Sequence, residues 1–194
     1  MKPSLSFFLV ALIAVGVSLA WSVPSFDSDA AASAQRKIDH ITTNGALTHP
    51  DFAPTEFTEQ EINAYIASGK IQLPDGVQLV HLVGVDGTVT GTSRVDFDKL
   101  QAGRKSSNPL LSIFSRVHDV EVLAHAHGSG GKGIIHVDSV ILDGAEIPHF
   151  LLELFVEKYL KPKYPDVGLD TRAALPDKID TAIIGKHILT VVQK

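Results

Sequence analysis

The chain has 194 residues, of which 20% are charged, a formal net charge of −5 and no cysteine. Without cysteine there can be no disulfide, thiolate metal site, cysteine nucleophile or lipid-modified N-terminal cysteine. A mildly acidic surface of mixed charge gives no electrostatic footprint for nucleic acid.

Residues 1–34 read as a signal peptide or N-terminal anchor. Lys2 supplies a positive start, and residues 5–20 run for 16 positions without a charge, short for a membrane span and suited to a signal core. Ala32-Ser33-Ala34 ahead of Gln35 has the small-x-small pattern of a cleavage site; Ser18-Leu19-Ala20 ahead of Trp21 is an alternative closer to the apolar run. If left uncut, the segment would associate with the membrane, with Trp21 at the interface. In both cases the expected location is periplasmic or extracellular. Removing residues 1–34 leaves a net charge near −4 and enough chain for one domain with its own core.

Residues 35–56 contain Pro50 and Pro54 and show little periodicity, which predicts a flexible polar lead ahead of a single domain at 57–194. Thr58 and Glu61 have the spacing of a capping box, and Phe57 and Ile62 flank it as a hydrophobic staple. A helix is therefore predicted over 58–68, stopped at Ser68-Gly69. A hairpin follows. Val77, Leu79 and His81 alternate with Gln78, Val80 and Leu82, Asp86-Gly87 tolerates the positive φ of a two-residue turn, and residues 88–97 return. Small residues Gly91 and Ser93 would let the sheet bend or a ligand approach. After a polar break at 103–108 and a short apolar segment at 110–114, a second hairpin pairs 120–127 with 134–142 around the glycine-rich 128–133. A last one pairs 178–184 with 187–192 around Gly185-Lys186.

Between the last two hairpins lies IPHFLLELFVEKYL, residues 147–160. On a 3.6-residue wheel His149, Glu153, Glu157 and Lys161 share one narrow stripe, and apolar side chains cover most of the remaining circumference. A helix this apolar needs a wrapper, and the other elements are hairpins. The expected fold is therefore α+β: a curved antiparallel sheet built from hairpins around one long apolar helix, with a second, short N-terminal helix.

Chemistry-bearing motifs are sparse. Residues 128–133, GSGGKG, lack the phosphate-loop spacing and precede a strand rather than a helix. His125 and His127 lie two apart on one strand face, with His136 on the returning strand, so three imidazoles are candidate metal ligands if the register joins them. Asp96, Asp98, Asp138, Asp143 and Glu146 show no acid–base spacing, and no G-x-S-x-G elbow is present. No cofactor is implied.

The order F-T-E-x-E-I-N-A-Y-I (57–66), L-P-x-G-V (73–77), G-x-V-x-G-x-x-x-V-D-F (87–97), G-x-G-x-x-H-V (131–137), G-A-x-I-P (144–148) into the apolar helix and L-P-x-x-I (175–179) into the last hairpin resembles small secreted bacterial proteins related to tubular lipid-binding (TULIP-type) domains. The likeness covers about 57–192. It implies a curved sheet around a long helix with an apolar groove between them, and a role in binding lipids or other hydrophobic molecules in the cell envelope.

On the residues, such a groove would set Phe150, Leu151, Leu154 and Phe155 against strand residues Val89, Val95, Val122 and Ile141. At about 0.8 kcal/mol per methylene, roughly ten methylenes would contribute of order 8 kcal/mol before ordering costs. The expectation is non-enzymatic, extracytoplasmic binding of a lipid-like hydrophobic molecule. The alternatives are an envelope scaffold or interaction module with a filled core, and a metal-dependent envelope enzyme using His125, His127 and His136.

Overall fold

The computed structural model describes residues 27–101 and 108–194. The apolar run at 5–20, the alternative cut after Ala20 and most of the polar break at 103–108 lie outside the described residues.

The first helix, α1 (Ser28–Ala46), begins at Asp27, whose carboxylate accepts hydrogen bonds from the Asp29 and Ala30 N–H groups. Ala31, Ala34, Ile41 and Asn44 are buried along it. The residues expected to end a signal and begin a flexible lead thus form one 19-residue helix containing Ala32-Ser33-Ala34. A short strand, β1 (Thr55–Thr58), leads into α2 (Glu59–Ala67). Both halves of the predicted capping box are formed here: the Glu61 N–H donates to the Thr58 hydroxyl, and the Thr58 N–H donates to the Glu61 carboxylate.

Strands β2 (Val77–Val85) and β3 (Thr88–Asp96) form the first hairpin, with Asp86 and Gly87 at φ of 45° and 85° as the turn requires. The predicted alternation in β2 fails at Leu79. Leu79 has φ 53°, is 66% exposed, and with Val80 stands against the single Ser93 in a β-bulge. A helical turn, α3 (Phe97–Leu100), and a 3₁₀ turn (Pro109–Ile113) follow. The long strands β4 (Val117–Ser129) and β5 (Lys132–Leu142) pair through Gly130 and Gly131, and the two-residue strand β6 (Ala145–Glu146) folds back on β5. After the next helix come β7 (Asp170–Ala174), in a stretch for which no element is predicted, and the hairpin β8 (Ile179–Gly185) and β9 (Ile188–Gln193).

Among the described residues these elements make one antiparallel sheet in the order β1-β9-β8-β4-β3-β2, with β5 on the far side of β4 carrying β6 and β7. The outer edge of β2 is clipped by α2: the Asn63 side chain accepts from the Leu82 N–H at 2.7 Å and donates to its carbonyl at 2.8 Å. Gly84 donates to Glu59 at 3.2 Å and accepts from the His187 N–H at 2.8 Å.

The expected long helix wrapped by the sheet is not present. Residues 147–160 give a seven-residue helix, α4 (His149–Phe155), which widens into a π-helical turn (Val156–Leu160). One side of it, Leu151, Leu152, Phe155, Val156 and Tyr159, is buried, whereas Phe150 and Leu154 are 53% and 39% exposed. Among the described residues the longest helix is instead α1 (Ser28–Ala46). The physical reason is that the inner sheet face carries its own apolar side chains, from Val120 to Leu142, and needs only one flank of a short helix to cover it. Apolar character around a helix did not mean burial around it.

Candidate functional site

Three apolar clusters stabilise the fold. One joins α1, β1, β8 and β9; a second joins α2 to β2 and β3; the largest lies between α4 and the strands β3, β4 and β5. Phe97, Phe114 and Phe155 meet in that largest core, with ring centroids 4.4 to 5.6 Å apart. Next to these rings the packing leaves a partly open cleft of about 150 Å³.

The cleft has a floor and a rim. Buried Val95, Val120, Val122, Ala124, Val140 and Leu142 supply the floor from the three strands, and Leu152, Phe155 and Val156 cover it. Half-buried residues form the rim: Pro74 and Val77 at the start of β2, Leu160 at the end of the π turn, and Tyr164, Val167 and Leu169 on the loop into β7. Twenty residues line the cleft, and Tyr164 alone has a polar atom in its side chain.

Val95, Val122 and Phe155 of the predicted groove line this cleft. Leu151 is buried in the same core without lining it, and Phe150 and Leu154 face outward. Val89 belongs to the α2 cluster and borders a separate cavity of about 90 Å³. Ile141 pairs with Glu121 and Glu146 and leaves the cleft to its neighbours Val140 and Leu142. The placement of Ile141 outside the cleft lining has a readable cause. Between Leu123 and Ala124 on one strand and Ser139 and Val137 on the other, Asp138 is an extra residue, so the inward parity of β5 switches at the bulge. Two adjacent polar residues, Asp138-Ser139, which break the alternation of the strand, were the available signal. The lining from Tyr164 to Leu169 sits on a loop, where no periodicity announces it.

The register sets two of the three candidate histidines opposite each other. His125 and His136 are direct cross-strand partners, but His127 stands opposite Ile134. His125 Nδ1 lies 2.7 Å from Asp138, and His136 Nδ1 lies 2.6 Å from Asp170. The Asp170 hydrogen bond holds His136 protonated to higher pH than an ordinary histidine; burial opposes it, and the charges of Asp170 and Asp138 add to it. Among the described residues no group of three or more His, Asp or Glu side chains is arranged to hold a metal ion. The three imidazoles are therefore ion-paired or solvated groups on the outer sheet face.

Among known proteins, no family model, curated protein or solved structure matches this chain. Among the described residues no helix is long and apolar enough to cross a membrane.

Proposed function

We propose that this protein is an extracytoplasmic, non-enzymatic binder of a small hydrophobic molecule, held in the cleft between α4 and strands β3 to β5. The observation that carries the reading is a cleft whose lining is apolar at every residue but one. Ligand pockets are built this way, with apolar walls and few polar groups to fix orientation. The uncharged run at 5–20 supports an extracytoplasmic location.

Size narrows the ligand. At about 150 Å³ the cleft is smaller than the roughly 300–1,000 Å³ of drug-sized sites and matches the size of cavity that accepts a benzene-sized guest. A complete lipid is therefore too large; the end of an acyl chain or a molecule of about six carbons fits. Six methylenes at about 0.8 kcal/mol each give roughly 5 kcal/mol before ordering costs, which corresponds to affinity of about millimolar strength.

Ala124 provides the test, because it is a small, 4% exposed residue on the floor. Ala124→Leu places three more carbons in the cleft. The expected outcome is loss of benzene or hexanoate binding in NMR titrations, with thermal stability kept or raised. Unchanged binding in a folded variant would remove the cleft as the site.

A further inference from the structure

We infer that Tyr164 selects the ligand class: the cleft takes a short single-chain amphiphile, with its tail on the apolar floor and a hydrogen-bond-accepting head at the rim beside the Tyr164 hydroxyl. This rests on the cleft reading above and deepens it. A headless hydrocarbon and an amphiphile would bury the same tail, so only a polar side chain on the lining could tell them apart. Tyr164 is the one residue of twenty that can. Among the described residues its hydroxyl has no hydrogen-bond partner, and the residue is half-buried on the lining of the cleft. An aromatic side chain with a wet polar end is suited to such a boundary.

The backbone around Tyr164 is fixed in advance. Its N–H donates to the Leu160 carbonyl at 2.8 Å, and its carbonyl accepts from the Val167 N–H at 3.0 Å. Pro162 and Pro165 flank it and restrict φ on both sides. Farther on, the Thr171 hydroxyl bonds both the N–H and the carbonyl of Gly168, and the Val137 N–H donates to the Leu169 carbonyl at 2.8 Å. The rim loop is thereby tied to β5 and β7, so a head group would meet a positioned donor rather than a moving one. Charge does not favour a particular head. Lys163 and Asp166, of opposite charge, are both exposed on this loop, while Lys161 pairs with Glu157. What the rim offers is a neutral hydroxyl, which donates as well as accepts, and its O–H is complemented by an acceptor oxygen such as that of a carboxylate, ester or amide.

The experiment is a pair of NMR titrations, one with hexanoate and one with benzene, on the wild-type chain and on Tyr164→Phe. The substitution keeps the ring and removes the hydroxyl. The expected result is hexanoate binding weakened about tenfold, as for loss of one hydrogen bond to a charged head, with benzene binding unchanged. Hexanoate binding unchanged in the variant overturns the assignment of Tyr164 while leaving the cleft reading standing. Equal weakening of both probes also overturns it, by making Tyr164 part of the wall only. Failure of both probes to bind the wild-type chain overturns the cleft reading itself.

Discussion

Glu61 ties together the first two helices. Its carboxylate closes the α2 capping box and also accepts from the Ser33 hydroxyl at 2.6 Å and the Lys37 ammonium at 2.6 Å on α1. Burial alone would raise its pKa, but the hydrogen bonds from Lys37, Ser33 and Thr58 outweigh that and lower it from 4.5 to about 2. A depressed carboxylate pKa stabilises the fold above the unfolded value, and that stability is lost as pH falls from 4.5 toward 2. A shift of this size is on the order of 3 kcal/mol. Urea midpoints should therefore fall steeply below pH 4.5, and Glu61→Gln should lower the midpoint at pH 7 and flatten the acid limb. An acid limb identical in the variant would mean that other carboxylates control it. The box itself was legible, because Thr58 and Glu61 are three apart. Its two outside partners were not, since nothing local links Ser33 or Lys37 to a residue more than twenty positions away.

At the scale of elements, α1 has the largest consequence. Ala31, Ala34, Ile38, Ile41 and Gly45 follow one another at intervals of three and four, a helical period written largely in small residues. Such residues give a weak hydrophobic signal, yet they are required here. A Cβ on Gly45 would lie 2.3 Å from the Asp177 carbonyl oxygen, and Ala34 is 1% exposed. A chain beginning at Gln35 loses the Asp27 cap, buried Ala31 and Ala34, and the Ser33–Glu61 hydrogen bond. Compared with a chain beginning at Asp27 it should be less stable by at least about 2 kcal/mol in thermal or urea unfolding. Equal stability would show that residues 27–34 are dispensable to the domain. The hairpin turns were readable from Asp86-Gly87 and the glycines at 128–133, because positive φ restricts which residues can occupy them. Strands β1, β6 and β7 were not, since two to five residues are too few to show a period.

For the molecule as a whole, the antiparallel hairpin sheet was legible and the place of the apolar helix was not. Whether a hydrophobic side chain is covered depends on how much of the sheet face already fills itself, which is a tertiary quantity. Phe150 and Leu154 measure the difference. In a wrapped helix, truncating either would cost about 2–5 kcal/mol. On the exposed face of α4, Phe150→Ser together with Leu154→Ser should change the urea midpoint by no more than about 1 kcal/mol equivalent. A larger loss would mean that this face is covered. The cleft was half visible for the same reason: Val95, Val122 and Phe155 obey simple alternation or helical spacing, Ile141 fails at the Asp138 bulge, and Tyr164 lies on a loop.

The clip on β2 also bears on how copies of this chain behave toward one another. β2 ends the sheet, and an end strand ordinarily presents a row of free N–H and C=O groups on which another molecule can add a strand. Here that row is interrupted along its length: by the bulge at Leu79 and Val80, by Asn63 on Leu82, and by Glu59 and His187 on Gly84. A strand arriving from a second molecule finds those positions taken, which makes this border of the sheet a poor template for edge-to-edge polymerisation even where the protein is concentrated.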